Sequence, residues 1–169
     1  MNTTVHYDLI ASPLGTLRLA ATRDGLIGIH FDDERGLPLP EPACVRDPAF
    51  PALRLAAAQL ADYFAGRRRA FDLTLAASGT QFQRAVWDAI ATVPPGETIS
   101  YTELARRAGR RGSARAAGAA TGRNPLAIVV PCHRIVGADG SLTGYAGGLS
   151  RKRALLELER GRSRASVAA

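Results

Sequence analysis

"SYTELARRAGRRGSARAAGAATGRNP", residues 100–125, decides how the C-terminal half of this chain folds. Ser100 and Glu103 form a capping box that opens a short helix running to Ala108. The turn GRRG (109–112) follows, and Ser113 caps a second helix that stops between Gly122 and Pro125. Two short helices around a glycine-containing turn read as a helix-turn-helix. In most such motifs the second helix presents long polar side chains to base edges in the major groove. Here it reads ARAAGAATGR (114–123), small residues throughout, with Arg115 near its start. Gly118 in mid-helix costs about 0.5–1 kcal/mol relative to alanine, so something should offset it. One explanation is close approach to another surface. A helix with ordinary side chains is about 10–12 Å across, whereas the minor groove is about 6 Å wide. A helix stripped to Ala and Gly could lie in such a groove if it opened somewhat. The alternative is core packing against a neighbouring helix.

Outward from this motif, the downstream stretch is IVVPCHRIVG (128–137), an apolar strand that ends on a thiol, an imidazole and a guanidinium. Pro131 fixes φ and removes a donor, so the chain leaves strand geometry there. A Gly-rich hairpin from Gly137 to Gly148 and a helix from Ser150 to Arg160 come next, and residues 161–169 read as a disordered tail. Upstream, Thr80 and Gln83 make a capping box for a helix with Phe82, Val86, Ile90 and Val93 on its buried side. AASG (76–79) is a linker. Before it lie short β-rich runs split by SPLG and RDG turns, and a polar, proline-rich loop over 32–50. A helix then has Leu53, Ala56, Ala57, Leu60 and Phe64 on one face, and a last short strand spans Ala70 to Leu75. The expected division is an α+β unit over 1–76 and a unit carrying the helix-turn-helix over 80–160.

Charge divides along the same line. Residues 1–79 hold 8 arginines against 9 acids, and residues 80–169 hold 14 basic residues against 6 acids, giving −1 and +8 and the total of +7. Such asymmetry points to a C-terminal half that faces a polyanion, most simply nucleic acid. No run approaches the roughly 20 apolar residues of a membrane span, and the N-terminus lacks the pattern of a signal peptide. The expected location is the cytoplasm, where Cys44 and Cys132 would stay reduced. Neither cysteine sits in a CxxC pattern, and His6, His30 and His133 are scattered, so no metal is expected.

A free thiol has a pKa near 8.5, so activation needs a neighbouring base or cation. His133 adjoins Cys132, but neighbours on a strand point to opposite faces, so a turn at Cys132 is needed to bring them together. A base also needs an orienting partner; Glu157 and Glu159 are the candidates. Cys44, in the proline-rich loop, has no such company. A lone cysteine is equally a packing residue.

PCHR after an apolar run, preceded by GRNP and followed by GYAGG and LLELE, closely resembles the O6-alkylguanine-DNA alkyltransferases. The match runs without a gap from about Thr98 to Glu159, and weaker likeness reaches the N-terminus. The resemblance implies a ribonuclease-H-like N-terminal domain and a winged helix-turn-helix alkyltransferase domain. It also implies irreversible transfer of an alkyl group from O6 of guanine in duplex DNA, with O4 of thymine a further candidate, to the protein's own cysteine. On matching positions, Cys132 is the nucleophile and acceptor. His133 is its base through a water, oriented by Glu159, and Asn124 holds the active-site turn. Tyr101 donates a proton to guanine N3. Tyr145 walls the pocket with the backbone of Ala146 and Gly147, and the carbonyls of Cys132 and Ile135 receive the exocyclic amine. Arg115 is the finger entering the duplex. Ala116, Ala117, Gly118, Ala119, Thr121, Arg123 and Arg134 join it at the DNA. The resemblance implies no cofactor, and a monomer that could cluster on DNA.

Two departures matter. Ala146 stands where some relatives carry serine, so backbone N–H groups would serve O6. The cysteines that hold a structural zinc in some members are missing. Arg151, Lys152 and Arg153 crowd the first turn of the final helix, facing either DNA or a nearby loop, or simply solvated. The rivals are a non-catalytic alkyltransferase-like damage sensor, which would lack the acceptor cysteine, a winged-helix transcription regulator, and a cysteine hydrolase.

Overall fold

The computed structural model describes residues 3–34 and 44–167, which form two compact units, Met1–Ser78 and Gly79–Ala169. Residues 35–43, nearly half of the expected proline-rich loop, lie outside the described residues. Among the described residues no helix is long and apolar enough to cross a membrane.

In the first unit, strands β1 (Val5–Ile10), β2 (Leu17–Thr22) and β3 (Gly25–Phe31) form an antiparallel meander. Alternation in β2 sends Leu17 and Leu19 fully into the core, and Ile29 and Phe31 join them from β3. A fourth strand, β4 (Cys44–Arg46), pairs in parallel with β1 at the sheet edge, giving the order β3-β2-β1-β4. It occupies part of the stretch expected to be loop, and Cys44 is half-buried within it. Only three residues long and lacking strong alternation, it carries no signal of its own.

Helix α1 (Pro51–Phe64) begins with Pro51 at its first turn, where a missing N–H costs nothing. Its buried face is Leu53, Ala56, Gln59, Leu60 and Tyr63. Ala57 and Phe64 are thus replaced at the centre of the face by Gln59 and Tyr63. Gln59 earns its buried position by backbone mimicry: its Nε2 donates to the Asp72 carbonyl and its Oε1 accepts from the Asp72 N–H, both at 2.9 Å. That pairing explains why the strand expected over Ala70–Leu75 reduces to a single bridge, Leu26 to Leu75. The polar backbone there is satisfied by a side chain instead of a ladder. Gly25 has φ +136°, and a Cβ on it would come within 2.5 Å of the Thr74 carbonyl oxygen, so only glycine lets this segment close on β3.

The second unit opens with α2 (Gln81–Ala91), whose N-cap Thr80 and Gln83 form the full reciprocal box. Val86, Trp87, Ala89 and Ile90 are buried, whereas Phe82 is half-exposed beneath the Arg110 guanidinium at 4.7 Å. A two-residue strand, β5 (Ile99–Ser100), leads into α3 (Tyr101–Arg107). The Ser100 hydroxyl accepts from the Glu103 N–H at 3.1 Å. The Glu103 carboxylate does not complete the expected box, because Arg106 and Arg107 hold it at 2.7–2.8 Å.

Helix α4 (Ala114–Gly122) follows, and its N-cap Ser113 makes no side-chain capping bond. Its ψ of 37° is far from the extended geometry that aims a cap at the free N–H groups. Trp87 on α2 donates its indole N–H to the Ala120 carbonyl at 2.9 Å inside the core, pinning α2 to α4.

The apolar run Ile128–Val130 is not a strand. It turns, with Ile128 at φ 71°, and passes through Pro131 into a 3-10 turn over Cys132–Arg134. The pairing instead comes directly after that turn, where β6 (Ile135–Val136) lies parallel to β5. The stretch expected as a Gly137–Gly148 hairpin contains no strand. It folds back locally, with the Gly137 N–H bonded to Ser141 O at 2.9 Å and the Gly148 N–H to Tyr145 O at 2.9 Å. Helix α5 spans Leu149–Val167, so it passes the expected end at Arg160 and enters the stretch read as tail. Gly161 is the only residue of poor helix propensity just beyond Arg160, and one glycine costs only about 1 kcal/mol.

Candidate active site and DNA-facing helix

Cys132 opens the 3-10 turn and is 8% exposed, beside the fully buried His133 and nearly buried Arg134. Tight i-to-i+3 winding sets consecutive side chains about 120° apart. The dipeptide thus escapes the opposed geometry of a strand, as the sequence required. The turn itself is held by Asn124. Its Nδ2 donates to the Val130 carbonyl at 2.8 Å, and its Oδ1 accepts from the Leu126 N–H at 3.0 Å. These two bonds bracket Ile128, whose positive φ is uncommon for a β-branched residue and costs of order 1–3 kcal/mol.

Behind the turn stands Glu159 of α5, 1% exposed. Its Oε1 lies 2.8 Å from His133 Nε2. Arg134 grips the same carboxylate with a fork, Nε to Oε2 at 3.0 Å and Nη2 to Oε1 at 2.8 Å, and donates from Nη1 to Val93 O at 2.5 Å. The Gly96 N–H adds a bond to Oε2 at 3.1 Å. Burial alone would raise the Glu159 pKa, but the bonds from His133 and Arg134 overcome it and hold the carboxyl well below the usual carboxylate range. Burial lowers the His133 pKa; Glu159 pulls it up, and the nearby Arg134 and Lys152 charges push it down. The guanidinium already matches the carboxylate, so the imidazole stays neutral. With Glu159 ionised, Nε2 must carry the hydrogen, and Nδ1 is left as the basic nitrogen. Nδ1 has no hydrogen-bond partner among the described residues.

Arg134 therefore departs from its expected place at the DNA. It is a buried counter-ion, because the 3-10 turn aims its guanidinium inward at Glu159. Glu157, the other carboxylate the sequence offered, is exposed, two residues and so about 200° around the helix from Glu159.

Tyr101, at the start of α3, is half-buried and donates its phenol to the Thr143 carbonyl at 3.1 Å. Burial raises its pKa, and an electrostatic interaction with Cys132 adds to the rise. Tyr145 is half-buried, Ala146 exposed and Gly147 buried, in the loop that precedes α5. Ile135 is fully buried, and its carbonyl accepts from Lys152 Nζ at 2.5 Å.

Helix α4 divides its small residues between a buried face and an exposed one. Ala117, Ala120 and Thr121 are buried, and Thr121 Oγ1 donates to the Ala117 carbonyl at 2.7 Å. Ala117 and Thr121 are thus core residues, correcting their expected place among the DNA contacts; the 3.6-residue repeat turns them toward α2 and α3. Arg115, Ala116, Ala119 and Arg123 are exposed, with Gly118 half-exposed beside them. A Cβ on Gly118 would meet the Tyr101 ring at an ordinary 3.7 Å. Core packing therefore does not demand glycine there.

Of the three places the sequence left open for Lys152, the nearby loop is the one it takes. It is completely buried, its ammonium donating to the carbonyls of Ile135, Thr143 and Gly144 at 2.5, 2.9 and 3.2 Å. The only signal was composition, a single lysine among 21 arginines.

Known proteins match the chain over nearly its whole length. Residues 5–77 match the model for the 6-O-methylguanine DNA methyltransferase ribonuclease-like domain, and residues 81–161 match that family's DNA-binding domain. A methylated-DNA–protein-cysteine methyltransferase from Mycobacterium bovis is 47% identical over 168 residues, covering 96% of this chain and 97% of the relative. The crystal structure of the Mycobacterium tuberculosis O6-methylguanine methyltransferase superposes with a TM-score of 0.86 at 48% identity, over 94% of each chain. The M. tuberculosis OGT solved in complex with DNA also gives 0.86 at 48% identity, over 93% of this chain and 94% of that one. With both units matched in order and nearly their full length aligned, the chain belongs to the 6-O-methylguanine DNA methyltransferase family.

Proposed function

We propose that this protein repairs DNA by direct reversal, moving the alkyl group of O6-alkylguanine in duplex DNA onto its own Cys132, once per molecule. The observation that carries the proposal is the buried series Cys132, His133, Glu159, with a neutral imidazole beside the thiol and a carboxylate fixing its tautomer. The relatives' names and the DNA complex of a close structural match support the substrate class.

The chemistry is a displacement at an sp3 carbon. The Cys132 thiol gives its proton to His133 Nδ1 through a water, and the sulfur attacks the alkyl carbon. A carbon–sulfur bond forms, the carbon–O6 bond breaks, and the electron pair enters the purine ring. Tyr101 supplies a proton at guanine N3, so the base leaves neutral. In net terms one hydrogen moves from sulfur to guanine as the alkyl group moves to sulfur. The thioether has no good leaving group, so water does not restore the thiol.

The alkyl carbon in stacked DNA is out of a protein thiol's reach, so the nucleotide must be extruded at a cost of a few kcal/mol. Arg115, exposed near the start of α4, fills the gap it leaves, and Ala116, Gly118, Ala119 and Arg123 lie along the groove. Tyr145, with Ala146 and Gly147, walls the pocket, and the Cys132 and Ile135 carbonyls take the guanine amine. A carbonyl has two lone pairs, so Ile135 can serve both Lys152 and the base. The exposed face of α4 offers Ala116 and Ala119 where a regulator would need base-reading side chains. A cytoplasmic monomer, built as units over 1–76 and 80–160, completes the proposal.

Intact-protein and peptide mass spectrometry after mixing with an O6-methylguanine duplex tests it. One methyl group on Cys132, without turnover, is the expected result, and Cys132→Ser should bind the duplex yet accept nothing. An unmodified Cys132 in the wild-type protein would overturn the reading.

A further inference from the structure

We infer that Glu103 limits how tightly this protein holds undamaged DNA, by keeping Arg106 and Arg107 of α3 away from phosphates they would otherwise neutralise. The inference rests on the DNA-binding reading and extends it to α3, the first helix of the helix-turn-helix.

The charge of this motif is lopsided. Between Ser100 and Pro125 the sequence holds six arginines and one acid, Glu103. That carboxylate is gripped twice over. Arg106 meets it with a fork, Nε to Oε2 and Nη2 to Oε1, both at 2.7 Å. Arg107 donates from Nε to Oε1 at 2.8 Å and from Nη1 to Thr92 Oγ1 at 3.4 Å. The bonds from Arg106 and Arg107 lower the Glu103 pKa to about 2, so the carboxylate stays charged at neutral pH. An arginine fork takes two oxygens of a phosphate in the same geometry as two oxygens of a carboxylate. Glu103 therefore stands where a phosphate would stand, and the three side chains together present one net positive charge instead of two.

The surroundings place this triad beside the DNA-facing helix. Ser100, Thr102, Glu103, Arg106, Arg111 and Gly112 line a groove of about 420 Å3 between the start of α3 and the turn that leads into α4. Arg106 and Arg111 are both exposed there, and the chain continues through Ser113 to the exposed Arg115. The groove begins next to Tyr101, whose ring flanks Gly118 beside the exposed residues of α4. A DNA backbone lying along α4 therefore passes its rim.

Exposed ion pairs contribute little to stability, so folding does not require the triad. Its effect is on counterion release, since each further phosphate neutralised steepens the fall of log K with log salt by about 0.9. That term is independent of sequence and of damage. A protein that must leave undamaged duplex to find a lesion gains from restraining it.

Fluorescence anisotropy with an undamaged duplex, over about 50–200 mM salt, tests the inference. Glu103→Gln is compared with Glu157→Gln, which removes the same charge from an exposed carboxylate on α5, outside the fork. The Glu103→Gln slope should steepen by about 0.9 for one released arginine and about 1.8 for two, with tighter binding at low salt. Glu157→Gln should keep the wild-type slope. Adding Arg106→Ala and Arg107→Ala to Glu103→Gln should return the slope to the wild-type value. Equal slopes in the two glutamine variants overturn the inference, as does a steepened slope that survives loss of both arginines. An undamaged duplex has no alkyl group to give, so these slopes do not depend on whether Cys132 reacts. An unmodified Cys132 counts against the repair reading alone, whereas absence of duplex binding in every variant overturns both.

Discussion

His133 Nε2 lies 2.8 Å from Glu159 Oε1, with both side chains sealed from solvent. The same carboxylate carries the Arg134 fork and the Gly96 N–H, so it has more dependants than an orienting residue requires. Replacing it by alanine strands a guanidinium in the core. Glu159→Ala should lose about 3–5 kcal/mol of stability, the range for breaking a buried pair from one side. Glu159→Gln, which keeps an acceptor for Nε2, should lose less. Urea denaturation of both variants checks this; equal, small losses would mean that the fork contributes nothing.

Stability should fall on acidification in two stages. The His133 pKa is depressed in the folded protein, so its contribution is complete above the ordinary value of 6.5 and declines as pH drops below it, where only the unfolded chain takes up the proton. The Glu159 pKa is also depressed, so its contribution is complete above the ordinary 4.5 and is lost as pH falls below that toward its folded value. Each proton taken up by the unfolded chain alone costs about 1.4 kcal/mol per pH unit. His133→Asn should flatten the profile between pH 6.5 and 4.5 and leave the lower stage. A urea midpoint that does not change with pH over that range in the wild type would contradict the neutral, buried imidazole.

Gly118 separates packing from DNA approach. A methyl group there meets the Tyr101 ring at 3.7 Å, an ordinary contact, and improves helix propensity. Gly118→Ala should therefore raise stability by about 0.5–1 kcal/mol. If α4 lies against a groove wall, the same change should weaken duplex binding, measured by fluorescence anisotropy at fixed salt. A more stable protein with unchanged affinity would assign the glycine no part in binding.

Arg115 is exposed and makes no contribution to the buried relay. Arg115→Ala should slow transfer from a methylated duplex far more than transfer from free O6-benzylguanine, because only the duplex has a gap to fill. Equal losses in single-turnover rates would rule out the finger.

The sequence by itself determined the α+β class and the helix-turn-helix, and named the candidate reactive cluster. Those features rest on local signals: capping residues, 3.6-residue and 2-residue periodicity, and the run of motifs around Cys132. The residues alone left Glu157 and Glu159 both open as the partner of His133, and only the family resemblance pointed to Glu159. Three-dimensional structure chose between them, because Glu157 faces solvent and Glu159 faces the core. The apolar run before Cys132 suggested a strand by composition, yet Asn124 bends it into a turn through two bonds no periodicity encodes. Arg134, Ala117 and Thr121 looked like surface residues for DNA, and Lys152 stood open between DNA, a nearby loop and solvent. Whether a long cation is solvated or sealed depends on which distant carbonyls and carboxylates reach it, and those partners, Val93, Thr143 and Glu159 among them, meet only when the chain folds. Residue type and spacing named the chemistry; the satisfaction of buried charge, which is non-local, decided where each charged group went.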